Sequence, residues 1–482
     1  MIRTFEIACL LAVLASQAAA QGPAPPPASL PPTGTRADSH ETYAVVAVEF
    51  TGLERTSREW VTSYLDLSLP ARLSRDDAKR LQRRLLTTAV FSEVRVLFVA
   101  APPPSPIGTH ILQVDVVERW TTIPVLRVVY GGGTPLRIAG LYDIHAFGRL
   151  LTVGGEAQKY GNAPTGSVLY AKSPRHSAGR YFLASELWRE YRRRPVFVPH
   201  DAQSDSAGAG PPRQVGTMSS NVTMSRMTFL SPLLPGVGAL ASYPWRIGGE
   251  LMWFSEAPLD YEPADGAPAE PPKTLGGVSR TTRNLRVLPT LMYDDIDLNI
   301  LDYDGFRLVA KGGPSYVTGD VDEEQSNWHG FGELEAFWFK LYPAGLNLGL
   351  HAVVGGASFK SARSQYFLGG LDSIRGFPDG VVHGTRASWL NAELRHTSWK
   401  PTRYTWFQSV AFCDAGGAAN DWDRLNQSLH ASCGVGARLA VPQINRMIFR
   451  LDYAWAVDGS GQQGIAAGMN QFFDPYKPLS DR

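Results

Sequence analysis

The sequence predicts a mainly β chain: a sixteen-stranded transmembrane antiparallel barrel, preceded by one small α/β module. Three observations carry this. Between Ile123 and Phe473 the chain keeps returning to a hydrophobic period of two, the repeat of a strand with unlike faces. After residue 20 nothing approaches the run of about eighteen apolar residues that a membrane helix needs. Glycine is abundant at 47 residues, aromatics reach 11% and charged residues only 19%, a balance that suits many strands and turns with part of the surface turned away from water. Lys and Arg number 46 against 45 Asp and Glu, so the +1 formal charge supplies no global field for nucleic acid.

Residues 1–20 read as a signal peptide: Arg3 at the positive end, an apolar centre over 7–14, and Ala18, Ala19 and Ala20 before Gln21. Export follows, and Cys9 leaves with that segment. Residues 21–42 are rich in proline and small residues with nothing to bury, and read as a disordered linker. The α/β module occupies 43–120. Its first strand is 43–53. Thr56 or Ser57 then caps a helix reaching Leu67, and Ser74 caps a second helix with Ala78, Leu81, Leu85 and Leu86 on one face. Strands over 91–101 and 109–120 complete it.

The barrel is expected over 121–473, with a tail over 474–482. In its strand near the C-terminus, Met447, Phe449, Leu451, Tyr453 and Trp455 oppose Ile448, Arg450 and Asp452. Further back, Leu390, Ala392 and Leu394 oppose Asn391, Glu393 and Arg395. Charge on one side and apolar residues on the other fit a strand with lipid outside and a wet lumen inside, whereas a soluble sandwich buries the apolar face. Tyr342, Trp389, Trp399, Tyr404, Trp406 and Trp455 near strand ends favour the membrane arrangement. The sixteen strands begin near Pro124, Pro135, Leu150, Thr165, Gly179, Gly216, Trp245, Arg283, Phe306, Gly330, Leu346, Ser388, Thr405, His430, Arg446 and Gln463. The long polar inserts 193–215, 255–282 and 318–328 all follow odd strands, and so are expected at the cell surface. Short connections over 342–345, 398–403 and 442–445 fall at the other end, where 230–244 is longer than such a turn requires.

Cys413 and Cys433 lie on consecutive strands and on the apolar face, so they sit opposite or diagonal to one another. A disulfide is one reading; buried free thiols acting as small apolar side chains are the commoner one.

The stretch 364–384 holds one arginine, Arg375, among Gly369, Gly370, Gly376 and Gly380. That glycine density lets a loop turn sharply and lie against other backbone. Flanking strands place Glu393 and Asp414 on their polar faces, within the reach of an inward loop, while the plainer reading is an exposed hairpin with a solvated arginine. No Gly-x-Ser-x-Gly elbow, His-Glu-x-x-His, Cys-x-x-Cys or phosphate loop is present. His351, His396 and His430 read as plain lumen or interface residues. No enzymatic activity, cofactor or metal is expected.

Two sets of residues carry a resemblance. The strand–helix–helix–strand–strand order of 43–120 resembles a POTRA domain, whose sheet edge can accept another chain. Ile374-Arg375-Gly376-Phe377, preceded by Leu368-Gly369-Gly370, resembles the sixth-loop motif of the BamA/TamA outer-membrane assembly barrels, the bacterial surface antigen family. Residues 391–395 and 412–416 are similar to its twelfth and thirteenth strands. The resemblance implies a loop folded into the lumen, with Arg375 meeting Glu393 and Asp414. It also implies an outer-membrane location, with the module in the periplasm capturing unfolded outer-membrane or secreted polypeptides that the barrel inserts or exports. Outer-membrane lipid and periplasmic accessory proteins are the further partners implied, with no nucleic acid. A two-partner secretion translocator for one exoprotein, or a small-solute or lipid pore, is the alternative; the 21–40 stretch has no room for the plug helix usual in the former. There is one POTRA-like module where assembly barrels have several, and the aromatic end signal Phe472-Phe473 is not terminal.

Overall fold

The computed structural model describes residues 41–173, 181–198, 213–236, 242–258, 260–272, 281–299, 301–319, 327–361, 363–370, 372–402, 405–441, 447–469 and 471–475. The expected signal peptide, nearly all of the linker and the last seven residues lie outside these.

The module begins with β1 (Thr42–Thr51), followed by α1 (Arg58–Leu65), β2 (Ala71–Ser74), α2 (Arg75–Thr87), β3 (Phe91–Ala100) and β4 (Thr109–Glu118). Ser57 caps α1 by accepting from Trp60 N, and Ser74 forms a capping box with Asp77 at α2. The sheet order is β2-β1-β4-β3. The short strand β2 departs from the expected order. The chain between the helices pairs antiparallel with the start of β1, Thr42 opposite Ser74, and covers part of an edge that would otherwise be open. Val45, Leu73, Leu81, Leu85, Leu112 and Val114 are fully buried between sheet and helices, each worth roughly 1.5–3 kcal/mol of transfer free energy.

The barrel follows: β5 (Thr122–Gly131), β6 (Thr134–Ala146), β7 (Leu151–Tyr160), β8 (Gly166–Lys172), β9 (Phe182–Val198), β10 (Arg213–Pro232), β11 (Trp245–Glu256), β12 (Asp260–Pro263), β13 (Thr282–Asp294), β14 (Asp297–Asn299), β15 (Asp302–Thr318) and β16 (Trp328–Tyr342). It continues through β17 (Leu346–Ala357), β20 (Arg386–Thr402), β21 (Thr405–Ala419), β22 (His430–Val441), β23 (Met447–Ala456) and β24 (Gln463–Met469), while β18 (Tyr366–Leu368) and β19 (Val382–Gly384) form a separate two-stranded sheet. Apart from the hairpin strands β12 and β14, sixteen antiparallel strands close the wall, beginning within a few residues of the expected positions.

The wall is apolar outside, and its inner face combines charged side chains with apolar clusters such as Trp188, Met224, Phe254 and Met292. Leu451 is 57% exposed, and its neighbour Asp452 is 1% exposed in the lumen. An exposed strand face this hydrophobic is tolerable only against lipid. No helix among the described residues is long and apolar enough to cross a membrane. Two expected belt aromatics differ. Trp389 shares the inward parity of Asn391 and packs on Tyr366, and Trp406 shares that of Gln408 and packs on Leu301, Ala440 and Ile448. Tyr342, Trp399 and Trp455 do face outward, and Tyr404 lies outside the described residues.

Some of the expected loop residues are strand. Arg193 opposes Ser219 within the β9–β10 ladder, and β12 pairs with β10 from Gly216 to Ser219, so the walls extend past the membrane band at that end. Residues 199–212, 273–280, 320–326, 403–404 and 442–446 are not described.

At the opposite end the module docks on the barrel. Ser57 N donates to Gly148 O at 3.3 Å, and Leu150 buries into the module's own core. Leu150 N donates to His145 Nδ1 at 3.1 Å, so that nitrogen is an acceptor; Nε2 then carries the proton and donates to Thr56 Oγ1 at 2.9 Å. The unexpectedly long 230–244 connection has a contact there too, since Tyr243 bonds Asp66 at the end of α1. Between β24 and β5 the ladder is different from all others. Among the described residues it is reduced to one registered pair, Ala467 opposite Tyr130, whereas β5 and β6 pair from Thr122–Asp143 to Gly131–Thr134.

Candidate functional site

The loop between β17 and β20 turns into the lumen, held by the β18–β19 hairpin. Its glycines permit this. Gly376 has φ +90°, and Gly370 lies so close to Phe377 O and Gly132 N that a Cβ would stand 2.5 and 2.7 Å from them. Ile374, Arg375 and Phe377 are at most 1% exposed. Ile374 and Phe377 pack with Leu368, Val381, Ala387 and Ala418, which anchors the loop on either side of the arginine.

Arg375 Nε donates to Asp414 Oδ2 at 2.8 Å and Nη2 to Oδ1 at 2.9 Å, a bidentate pair. Its amide N–H donates to the same carboxylate at 3.1 Å. Nη1 donates to Glu393 Oε1 at 2.6 Å and to Asp452 Oδ2 at 3.3 Å. Ser432 Oγ donates to Arg375 O at 2.6 Å. The structure therefore brings together all six residues singled out in the sequence, with Gly376 against Ala454.

Several members were not foreseen. Asp452 is a third acid, and Arg395, Arg438 and Arg450 complete the cluster: Arg395 Nε to Glu393 Oε2 at 2.8 Å, Arg438 Nη2 to Glu393 Oε1 at 3.4 Å and Nη1 to Asp452, Arg450 Nη1 to Asp452 Oδ2 at 3.5 Å. Four guanidiniums thus face three carboxylates. Asn391 Nδ2 donates both to Asp414 Oδ1 at 2.9 Å and to Ser373 O at 2.7 Å. The signal for these was present, because Arg395, Arg438, Arg450 and Asp452 all sit on polar strand faces. What alternation could not supply was strand register, which decides who meets whom.

The expected tail also differs. The last strand ends at Met469, and Phe472 and Phe473 are not wall aromatics but buried inside. Phe472 lies 4.0 Å from the Arg375 guanidinium and 4.8 Å from that of Arg450; Phe473 lies 4.9 Å from that of Arg395 and stacks on Phe339 and His351. In-plane bonds to carboxylates leave the guanidinium π faces to aromatic rings, and Arg375 stacks on Phe412, at 3.5 Å, as well as on Phe472.

The three histidines are dispersed. His351 bonds Asn391 at 3.1 Å and Glu335 at 3.3 Å in the lumen, His396 is exposed, and His430 bonds Asp458 at 2.7 Å near Phe377. Among the described residues no three His, Cys, Asp or Glu side chains converge as metal ligands. Cys413 and Cys433 are directly paired across β21 and β22 and bridged, contrary to the free-thiol reading, because the register sets them opposite rather than diagonal.

Residues 257–473 match the model of the Omp85 superfamily domain. No curated protein matches the chain in sequence. Among solved structures, CdiB from Acinetobacter baumannii is similar with a TM-score of 0.58 at 12% identity, over 89% of this chain and 74% of that one. CdiB from Escherichia coli is similar with a TM-score of 0.52 at 9% identity, over 92% and 93%. BamA from Haemophilus ducreyi lacking POTRA domains 1–3 overlaps more loosely, with a TM-score of 0.49 at 13% identity over 89% and 84%.

Proposed function

From a barrel of the Omp85 type, we propose that this chain moves unfolded polypeptide into or across an outer membrane, with its POTRA-like module in the periplasm receiving the client. The observation that carries the reading is the β24–β5 seam, where among the described residues a single registered pair closes the wall. Opening a seam between two β edges creates unpaired N–H and C=O groups, and a client strand is the natural partner for them. Inside the barrel, the Arg375 loop packs Ile374 and Phe377 against Leu368, Val381, Ala387 and Ala418, beside a cavity lined by Arg226, Arg286, His351 and Phe473. The module contributes a second edge, β3, which among the described residues pairs on one side only. Polar contacts at Thr56, Ser57, His145 and Gly148 fix that module against the barrel, so a client held there is presented to one end of the wall.

Depletion of the protein, followed by comparison of the outer-membrane proteome with the secretome, tests this. Loss of many barrels is the expected result for insertion into the membrane, and loss of one exoprotein that for export by a dedicated translocator. Unchanged levels of both would overturn the polypeptide reading and leave a pore.

A further inference from the structure

The described residues that follow β24, the seam strand, are buried. Gln471, Phe472, Phe473 and Asp474 are each at most 4% exposed. Gln471 accepts from Arg438 Nε at 3.1 Å and donates to Gln408 Oε1 at 3.0 Å, while Pro475 O accepts from Arg307. Phe472 sits against Arg375 itself.

The Arg375 loop in turn touches both sides of the seam. Asp379 N donates to Gly132 O at 2.9 Å, in the turn that follows β5. Gly376 lies against Gly464 of β24, where an added Cβ would stand 3.4 Å from Gly376 O. Among the described residues the backbone ladder supplies one registered pair to this junction, and Val129 of β5 lies against Gly468 of β24, so the loop and the buried tail add to a sparse direct contact.

We propose that residues 471–475 form an internal latch that makes release of the Arg375 loop and opening of the β24–β5 seam a single transition. This rests on the reading above, that the seam opens in function. The physical basis is shared contact. Phe472 cannot move outward with β24 without uncovering the Arg450 guanidinium and leaving Arg375 only Phe412, at 3.5 Å, as a ring partner, and Arg375 cannot leave Asp414 without leaving Phe472 only the more distant Arg450, at 4.8 Å. Two arrangements are self-consistent, both closed or both released, and the mixed ones lose the buried Arg375–Phe472 stacking with nothing to replace it. Phe472 is a positioning residue in this scheme, acting through Arg375 rather than on a client.

The test uses the full chain in proteoliposomes without a client, so its outcome is separate from that of the depletion experiment. Val381, buried in the loop at 3% exposure, is changed to cysteine as a reporter. The seam is lockable by Tyr130→Cys with Ala467→Cys, the one registered pair. The bridged Cys413 and Cys433 add no thiol of their own, and labelling of the parent chain is subtracted. Phe472→Ala is expected to raise maleimide labelling of Val381→Cys by about thirtyfold, the factor that ~2 kcal/mol of lost cation–π attraction corresponds to. Oxidising the seam cysteines is expected to return labelling to the level of the chain with Phe472 intact. An unchanged labelling rate in Phe472→Ala overturns the latch, and so does a raised rate that seam locking leaves untouched. If Phe472→Ala lacks the mobility of a folded barrel on unboiled gels, Phe472→Leu replaces it, keeping the bulk and losing the π face; it must show the same seam-dependent increase, in smaller measure.

Discussion

Arg375 and Asp414 are joined by two parallel side-chain bonds, at 2.8 and 2.9 Å, and by a third from the Arg375 amide at 3.1 Å, all fully buried. The carboxylate therefore fixes the loop backbone and the guanidinium together. Arg375→Ala leaves Asp414 buried without its counter-charge, and Asp414→Asn takes from Arg375 its bidentate partner, leaving it only Glu393 and Asp452; breaking a buried pair in this way costs on the order of 3–5 kcal/mol. Neither touches the strand ladder, so the expected result is a mobile loop in a barrel still formed. Protease added to intact cells should cut within the loop in both variants, and the double variant should be no worse than either alone. Arg375→Lys should behave like the alanine, because an ammonium cannot make the planar fork.

Glu393 is predicted to act differently. It accepts from Arg375, Arg395 and Arg438, so Arg375→Ala leaves it two cations, whereas Glu393→Gln removes the one acid that all three share. Like charges then crowd a dry site. Glu393→Gln should lower the heating temperature at which the barrel loses its folded gel mobility by more than Arg375→Ala does, while exposing the loop less. Equal effects of the two on both measurements would remove the distinction.

The wall was legible because alternation in a barrel is enforced by two immiscible surroundings; Leu451 and Asp452 declare their faces by chemistry alone. The Arg375–Glu393–Asp414 proximity was legible from polar parity plus a glycine-rich loop. Asp452 and Arg438 were not, since their meeting with Arg375 depends on the β22–β23 register, in which Arg438 opposes Arg450. Trp389 was misplaced for the converse reason: near a strand end, an aromatic suits lipid headgroups and a crowded lumen alike. Phe472 and Phe473 looked like the close of a strand, and only the arginines waiting inside explain why they leave it.

Gly132 provides a test of the loop's seat from the opposite strand. Its φ of +58° and the overlap an added Cβ would make with the backbone of Pro378 and Asp379 leave no room for alanine. Gly132→Ala should expel the 376–380 segment and reproduce the protease pattern of Arg375→Ala without altering any charge. Gly133→Ala, at φ +83° but with open space around it, carries only the backbone strain and should leave the loop protected.

At the module–barrel junction, Glu118 accepts from the backbone N–H groups of Glu54, Arg55 and Thr56 at 3.2, 3.0 and 2.9 Å. Partial burial alone would push its carboxyl up, but the bonds from Thr56, Arg55 and Glu54 outweigh this and hold it below the usual range. A depressed folded value means stability that is complete above the unfolded value of about 4.3 and lost as pH falls through the folded one. The thermal stability gap between the parent and Glu118→Gln should therefore be constant from neutral pH to about 5 and close progressively below about 4. A gap that widens on acidification would contradict the assignment.

The bridge between Cys413 and Cys433 gives the last prediction. The two residues are registered partners on β21 and β22, and the bridge closes the hairpin that carries Asp414 on one strand and Ser432 on the other. Those neighbours point inward, to Arg375, while the bridge itself lies on the outer face. Thiol labelling of the denatured, unreduced mature protein should find neither cysteine free. A cross-link over 20 residues of separation restricts the unfolded chain, typically by about 2–4 kcal/mol. Cys413→Ala with Cys433→Ala should accordingly lower the temperature at which folded gel mobility is lost. The loop should stay protease-resistant, because the ladder between β21 and β22 continues on both sides of the bridge and keeps Asp414 opposite Ser432. Loop exposure in the double alanine variant, at temperatures where the barrel remains folded, would instead mean that the bridge, and not the ladder, holds Asp414 in place.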